Sequence, residues 1–409
     1  MKIDKQVMRG VNRNNVLRCV WQDGPINQSA IAEKVRLSIP AVMKIVDELE
    51  AEEIVLRAGK GKPTSGKRPD LIALNSEAHY TVGVDVGRTT LRAVLCNLQG
   101  DICFSSTQPT GEPNPVDLLV NRICKMIHNI LDQSNIPQKK LLGVGIAMPG
   151  LIDEAEGIVI HSPDFSWENV PLFEMLKERL NYPVKIENAN LSLARAEDRS
   201  EAGKNSNFLI CVNVGHGIGA GLLLDGHPYK GCSGTAGELG HMVVEPNGPL
   251  CTCGNRGCLE AVASGEAIRR DAIHMIERGI FSKISEIVHG DLTKVDAKIV
   301  FEAAAQNDPV AEGIVSHAAE YLGTALANCV NLLDPDRIVL CGGLTRNGDK
   351  FIRQIQNYMN ARRMRGSGRS VKLRVGLLDE YSTALGATQQ YIDAFFASGS
   401  VGEDGVSVK

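Results

Sequence analysis

Four side chains of the kinds that bind metal ions lie within eighteen residues near the middle of the chain. His241 is followed ten positions later by Cys251, and then by Cys253 and Cys258. Structural zinc sites take four nitrogen and sulfur ligands in a tetrahedron, and most of these ligands are cysteine thiolates. Protein atoms would fill all four positions here. The spacing therefore predicts a closed, structural Zn²⁺ site at His241, Cys251, Cys253 and Cys258, with no place for a reacting water.

Charge is unevenly distributed along the 409 residues, a length that suits two or three domains. The net charge of −4 argues against a polybasic nucleic-acid binder. Residues 1–75 nevertheless contain 13 Lys and Arg against 9 Asp and Glu, so the remainder carries −8. A basic terminus on an acidic body indicates a nucleic-acid-binding region at the amino end.

The sequence contains no recognisable segment for export or membrane insertion. The residues after Met1 lead into no apolar run, and no stretch approaches the ~18 consecutive apolar residues of a transmembrane helix. The other eight of the eleven cysteines are scattered without a pattern. We therefore expect a cytoplasmic protein whose remaining thiols are reduced.

Residues 1–75 have the hydrophobic pattern of three short helices. Apolar side chains at helical spacing predict a first helix over 14–23, ended by a Gly-Pro pair. A short second helix follows, and Ser38 is the expected N-cap of a third helix that runs to about Glu53. Two apolar strands then enclose a basic segment rich in Gly and Pro. This order predicts a winged helix-turn-helix, although a helical domain with a charged surface loop has the same pattern.

In a winged helix-turn-helix domain, the third helix enters the major groove of DNA. Its exposed amino-terminal residues would contact base edges, and basic residues of the hairpin, or wing, would contact phosphates or the minor groove. The candidate DNA-binding residues are Ser38, Ile39, Pro40, Ala41 and Lys44 in the helix, and Arg57, Lys60, Lys62, Lys67 and Arg68 in the wing. Because one such module covers little DNA, we expect a homodimer or a dimer of dimers on double-stranded operator DNA.

The rest of the chain alternates strands, glycine-rich turns and helices. Residues 80–97 and 208–224 each predict two strands joined by a turn of Gly and small polar residues. The first turn carries Asp85, Thr89 and Thr90, side chains that suit phosphate and Mg²⁺ binding. The repeated layout predicts an α/β body made of two similar halves that face a cleft.

The body resembles the ROK family of repressors and sugar kinases, whose α/β fold is the actin/hexokinase-like (ribonuclease H-like) arrangement of two lobes around a cleft. The resembling segments are 85–89, 147–153, 215–221, 234–241, 251–260 and 342–343. The amino-terminal region resembles the winged helix-turn-helix of the family's repressors, including residues 66–75 at the wing, and the family's kinases lack it. We therefore expect a DNA-binding domain over 1–75 and an effector-binding body over 80–395. The Gly- and Ser-rich tail over 399–409 is expected to be disordered.

The resemblance also implies roles for residues in the cleft. In the family's kinases, an Asp in an Asn-Asp-Ala-Asn type segment is the general base for the attacking sugar hydroxyl. The matching residue here is Ala189, and Arg88 and His216 stand where the kinases carry small residues in two phosphate loops. These departures predict a cleft without catalysis. The residues implied to bind a sugar or sugar-phosphate effector are Asn188, Glu238, His241 and Glu260.

Together these patterns predict a transcriptional repressor of carbohydrate metabolism genes that responds to a sugar. A sugar or sugar phosphate would close the cleft and change the affinity of residues 1–75 for an operator. One alternative is an ATP-dependent sugar kinase with an accessory DNA-binding domain. Another is a zinc-sensing regulator, whose operator affinity would follow the free zinc concentration. A third is control by a regulatory protein partner, as the family resemblance allows.

Overall fold

The computed structural model describes residues 5–61, 68–112, 115–346, 348–367 and 371–398. Two of the candidate wing residues, Lys62 and Lys67, and the tail over 399–409 lie outside these ranges. Among the helices of the described ranges, none has the length and apolar character needed to cross a membrane.

The amino-terminal region is a helix-turn-helix followed by a wing. Its elements are α1 (Lys5–Asp23), β1 (Ile26–Asn27), α2 (Gln28–Val35), α3 (Ile39–Ala51), β2 (Val55–Lys60) and β3 (Asp70–Leu74). The strands form an antiparallel sheet in the order β1-β3-β2. Ser38 is the N-cap of α3, as predicted, and its Oγ accepts from the backbone N–H of Ala41 at 3.4 Å. The side chain of Asn27 caps α2 in the same way.

The first helix begins nine residues before the start predicted from the sequence. Its early apolar side chains remain exposed, so the first half has no amphipathic pattern for the sequence to reveal. Ion pairs hold this half against α3 instead, with Arg9 2.5 Å from Glu48 and Arg13 2.6 Å from Glu52. The predicted boundary was therefore wrong because the stabilising contacts are tertiary.

The body has two lobes, each built on a five-stranded sheet. The first lobe and the helix that leaves it are β4 (Tyr80–Val86), β5 (Thr90–Asn97), β6 (Ile102–Pro109), α4 (Val116–Ser134), β7 (Leu141–Met148), β8 (Leu151–Asp153), β9 (Ile158–Ser162), β10 (Trp167–Val170), α5 (Leu172–Lys177), β11 (Val184–Asn188) and α6 (Ala189–Arg199). Its main sheet has the order β11-β7-β4-β5-β6.

The second lobe follows α6. Its elements, with the last helix of the described chain, are β12 (Phe208–Val214), β13 (Ile218–Leu224), β14 (His227–Pro228), α7 (Leu259–Ala263), α8 (Gly265–Glu277), α9 (Lys283–Ile287), α10 (Ala297–Ala305), α11 (Pro309–Leu333), β15 (Arg337–Cys341), α12 (Asp349–Arg362), β16 (Lys372–Val375) and α13 (Ser382–Ser398). The sheet order is β14-β13-β12-β15-β16.

The two sheets repeat one design, which confirms the two similar halves expected from the sequence. In the first, the hairpin β4-β5 is antiparallel and β7 lies parallel to β4. In the second, the hairpin β12-β13 is antiparallel and β15 lies parallel to β12. The inner strand β7 is buried along its whole length, as expected for a parallel strand covered on both faces.

Two helices connect the lobes and pack tightly on each other. Helix α6 carries the chain from the first sheet to the second, and α13 returns to pack on β4, β7 and α6. Glycine permits the close approach: a Cβ on Gly386 of α13 would lie 1.7 Å from the carbonyl oxygen of Ser192 in α6. A Cβ on Gly83 of β4 would lie 2.0 Å from the carbonyl oxygen of Ala384. We call α6 and α13 the crossover helices.

Candidate functional site

The four predicted metal ligands converge in the second lobe. The candidate ligand atoms of His241, Cys251, Cys253 and Cys258 all lie within 4.8 Å of one another. Cys251 and Cys258 are buried, His241 is partly buried and Cys253 is exposed. His241 ends a 3₁₀ turn over Leu239–His241, and Cys258 lies at the start of α7. The fold thus gathers the four side chains from two separate turns.

The geometry of this cluster fits a tetrahedral zinc ion. With Zn–S bonds of about 2.3 Å and Zn–N bonds of about 2.0 Å, a tetrahedron has edges of about 3.8 Å between sulfurs and about 3.5 Å between sulfur and nitrogen. The Sγ atoms of Cys253 and Cys258 are 3.7 Å apart. The Sγ atom of Cys251 is 3.5 Å from Nδ1 of His241. The donor set, three thiols and an imidazole, is the kind that zinc prefers.

The second ring nitrogen of His241 faces a candidate sugar-binding residue. Its Nε2 lies 3.8 Å from Oε2 of Glu238, on the opposite side of the ring from the thiols. Partial burial raises the pKa of Glu238 above its usual range, while nearby His241 acts in the opposite direction. The imidazole of His241 therefore lies between the cysteine thiols and the carboxylate of Glu238.

Glu260 lies on the other side of the cluster, in the first turn of α7. Its Oε2 accepts a hydrogen bond from the backbone N–H of Ile218 at 2.9 Å. It also lies against Gly217, where a Cβ would come within 2.4 Å of the same oxygen. One Glu260 oxygen is therefore used to fix the turn between β12 and β13.

Asn188 occupies the entry to α6 and is held in a fixed orientation. Its Oδ1 accepts from the backbone N–H of Asn190 at 2.8 Å, and its Nδ2 donates to the carbonyl oxygen of Gly150 at 2.8 Å. Asn188 and Glu238 line the same small pocket between the lobes. The structure thus places two of the four residues predicted to contact a sugar, Asn188 and Glu238, in this pocket. His241 lies beside Glu238, and neither His241 nor Glu260 is among the residues that line the pocket.

The mouth of the pocket is bridged by an ion pair that the sequence did not single out. Nζ of Lys230, in the second lobe, lies 2.5 Å from Oε2 of Glu154, in the first. Both residues line the pocket. They are 76 positions apart, and neither belongs to a motif, so no local pattern in the sequence indicated the pair.

Ala189, the residue that the family resemblance matched to the catalytic Asp of the kinases, is the first residue of α6. The carboxylate two residues earlier, Glu187, is fully buried and accepts from Ser192 Oγ at 2.6 Å and from Arg195 Nε at 3.2 Å. Burial raises the pKa of Glu187, and Arg195 opposes that shift. Glu187 is therefore committed to the packing of α6.

Arg88 reaches across the cleft where the two glycine-rich turns face each other. Its Nη1 lies 2.7 Å from Nε2 of His216 in the second lobe and 3.6 Å from Oδ1 of Asp164 in the first. A polar cavity lies farther along the cleft and includes Asp85. Burial raises the pKa of Asp85 to about 6, although Arg92, 3.7 Å away, acts against the shift.

The predicted base-contacting residues form one exposed face. Ser38, Ile39, Pro40, Ala41 and Lys44 are all exposed at the amino-terminal half of α3. In the wing, Arg68 is exposed. Arg57 forms hydrogen bonds with Glu50 of α3 at 2.9 to 3.2 Å, and Lys60 lies 2.5 Å from Asp70. Arg57 and Lys60 are therefore both paired with acidic side chains of the same region in this structure.

Comparison with known proteins identifies two families along the chain. The ROK family matches residues 81–393, and the MarR family matches residues 12–59. The Bacillus subtilis xylose repressor is 30% identical over 392 residues, which cover 96% of this chain and 97% of the relative. A glucokinase of Thermotoga maritima is 37% identical over 272 residues, covering 66% of this chain and 83% of the enzyme.

A solved structure has the same fold along nearly the whole chain. It is a ROK family transcriptional regulator, a homologue of the E. coli MLC protein, with a TM-score of 0.81 and 24% identity. The match covers 96% of this chain and 98% of that structure, so both the winged region and the two-lobed body are included. The chain belongs to the ROK family and carries a MarR-type helix-turn-helix region at its amino end.

Proposed function

We propose that this protein is a sugar-responsive, DNA-binding transcriptional repressor of carbohydrate genes. The observation that carries the proposal is the combination, in one chain, of an exposed DNA-reading face and a sugar-kinase-like cleft, matched over 96% of its length by a xylose repressor. We divide the protein into a DNA-binding domain over 1–75 and an effector-binding body over 80–395. Operator DNA and a sugar or sugar phosphate are the ligands.

In this proposal the effector binds at the interlobe pocket and contacts Asn188 and Glu238 there, together with His241 and Glu260 beside it. Carboxylates accept hydrogen bonds from sugar hydroxyls, and an amide both donates and accepts. Asn188 and Glu238 line the interlobe pocket, and His241 lies 3.8 Å from Glu238. A sugar placed there would contact both lobes, so its binding favours one arrangement of the lobes over another.

In the same proposal, a zinc ion bound at the four-residue cluster stabilises the segment of chain that carries Glu238 and Glu260. Zinc would be held by His241 and the three thiols, and its role is structural because the protein supplies four ligands. The cluster fixes the segment between Glu238 and Glu260 and orients His241 through its Nδ1. A metal-bound imidazole is oriented by the group that its second nitrogen contacts, here the carboxylate of Glu238.

We also propose that the cleft does not catalyse sugar phosphorylation. Ala189 cannot accept a proton, and Glu187 is bonded to Ser192 and Arg195. Arg88 and His216 occupy the space between the two glycine-rich turns, where the phosphates of a nucleotide would lie. A sugar kinase is the second candidate function, favoured by the 37% identity to a glucokinase. A coupled assay for ATP-dependent sugar phosphorylation separates the two functions.

The test of the proposal is a measurement of operator affinity across sugars. A duplex that the protein selects from a random library serves as the operator. Its Kd is then measured without ligand and with D-xylose, D-glucose or glucose 6-phosphate. We expect one of these to change Kd by about 5- to 150-fold, the usual range of coupling between sites. Failure to select any duplex sequence would contradict the proposal.

Replacing Lys44 with Ala should weaken operator binding. Lys44 is exposed among the residues predicted to contact the bases, and removing one cation from a protein–DNA interface lowers the slope of log K against log salt by about 1. Affinity is measured between about 50 and 200 mM salt, the range over which this slope is usually resolved. Lys177→Ala, an exposed change on α5 in the body, is the matched control. A K44A variant with the slope and affinity of the control would exclude Lys44 from the interface.

A further inference from the structure

The DNA-binding region contacts both crossover helices through one side chain. The indole of Trp21, near the end of α1, stacks on Phe396 of α13 with ring centroids 4.0 Å apart and an interplanar angle of 7°. The guanidinium of Arg199, the last residue of α6, lies 4.6 Å from the centroid of the same indole. Trp21 is therefore positioned to respond to any shift of one crossover helix against the other.

The contact with α13 is extensive and apolar. Phe395 and Phe396 are buried in one continuous core with side chains of α1, α2 and α3. The amide of Asn14 in α1 also donates to the carbonyl oxygen of Ala397, at 2.5 Å. Helix α1 is thereby fixed to α13, and it would follow α13 in any movement of the body.

The contact with α6 is polar and continues into the body as a chain of ion pairs. Arg199 lies 2.5 Å from Asp393 of α13, and Asp393 lies 3.0 Å from Arg195 of α6. Arg195 in turn lies 3.2 Å from the buried carboxylate of Glu187. Glu187 immediately precedes Asn188, which lines the effector pocket. Contacts therefore run without interruption from the pocket to Trp21.

Helix α6 can form a rigid connection between the effector pocket and Trp21. Its eleven residues span about 16 Å, with the effector pocket at the amino end and Trp21 at the carboxyl end. The amino end is packed on the second lobe: a Cβ on Gly219 of β13 would lie 2.1 Å from Nδ2 of Asn190. A movement of the second lobe would therefore carry α6 with it.

We propose that Arg199 is a positioning residue that converts closure of the cleft into reorientation of the DNA-binding region through Trp21. This inference depends on the proposed function, since it assumes that a sugar closes the cleft. Closure moves the second lobe and α6 against α13, and Arg199 is displaced relative to an indole that stays stacked on Phe396. The displaced guanidinium then favours a different orientation of α1.

The test compares the coupling between sugar and operator in variants of the full-length protein. The coupling ratio is the larger of the operator Kd values measured with and without sugar divided by the smaller, using whichever of D-xylose, D-glucose and glucose 6-phosphate acts on the unmodified protein. We expect Arg199→Ala to reduce this ratio by about 2- to 30-fold, the usual range for residues on a coupling path. Sugar affinity in the absence of DNA, measured by calorimetry, should stay near that of the unmodified protein.

Two further variants show whether a change in R199A reflects lost coupling between sugar and operator or a general loss of folded structure. Arg179→Ala removes an arginine of similar exposure, 28% against 32%, that pairs with Asp117 in the first lobe, and it should keep the full coupling ratio. Asp393→Asn keeps the side-chain volume and weakens both ion pairs on α13, so it should lower the ratio even where R199A folds poorly.

The outcomes distinguish this inference from the proposed function. If the unmodified protein responds to sugar and both R199A and D393N have the same coupling ratio as it does, Arg199 does not have the proposed role. The proposed function is unaffected by that result. An unmodified protein that selects an operator but responds to none of the three sugars contradicts the sugar-responsive function, and the role of Arg199 with it. Loss of coupling in R199A and D393N, with full coupling in R179A, supports the inference.

Discussion

Replacing Cys253 with Ser is expected to abolish tight zinc retention and sugar binding together. Cys253 is the exposed member of the cluster, so the change removes a ligand with little loss of buried apolar packing. Structural zinc contributes about 10–16 kcal/mol to the folding of zinc-finger peptides, so loss of one ligand should destabilise the segment between Glu238 and Glu260. Zinc content by elemental analysis, thermal unfolding and sugar calorimetry measure the three consequences.

A second cysteine provides the control for this prediction. Cys232 is exposed and lies outside the cluster, so Cys232→Ser should retain about one zinc per chain and the sugar affinity of the unmodified protein. Normal zinc content and sugar affinity in C253S would show that Cys253 is not a ligand. Zinc loss with unchanged sugar affinity would separate the metal cluster from the effector pocket and remove the supporting role proposed for it.

The unmodified protein is expected to have no useful ATP-dependent sugar kinase activity. Loss of the general base alone typically costs about 10²–10⁴-fold, and the proposed non-catalytic cleft has Ala189, the first residue of α6, in place of that base. The contact between Arg88 and His216 adds a second obstacle, because it fills the space between the two glycine-rich turns. A coupled assay with ATP and D-xylose or D-glucose should remain at least about 10²-fold below ordinary kinase rates.

A glucokinase assayed in parallel is the positive control for that measurement. Turnover by this protein at about 1–100 s⁻¹, the usual range for kinases, would contradict the non-catalytic cleft and favour the kinase function. Sugar calorimetry on the same sample gives the second readout. Sugar binding without turnover is the expected combination for a cleft that has kept its sugar contacts and lost its base.

The features that the sequence predicted well depend on local patterns. The four candidate metal ligands, which the structure brings within 4.8 Å of one another, lie within eighteen residues, and the N-cap at Ser38 needs only a side chain and the next turn of backbone. The two glycine turns were visible because each is flanked by buried strands. Such patterns depend on residues that are close together in the chain, so they can be recognised in a single sequence.

The features that the sequence missed depend on residues far apart in the chain. Arg88 and His216 are separated by 128 positions, and their contact exists only because the two lobes face each other. The pairing of Arg57 with Glu50 likewise depends on how the wing folds back on α3, and composition alone marked Arg57 as a phosphate contact. The contact of Trp21 with Arg199 requires the placement of three helices.

Sugar binding and operator binding are expected to be coupled within one molecule. The most direct measurement is calorimetry of the effective sugar on the free protein and on the protein saturated with its selected operator. The sugar is expected to change operator affinity by about fivefold or more. Thermodynamic linkage then requires the bound operator to change sugar affinity by the same factor. Matching factors are the result that we predict. Equal sugar affinities for the free and operator-bound protein would contradict it.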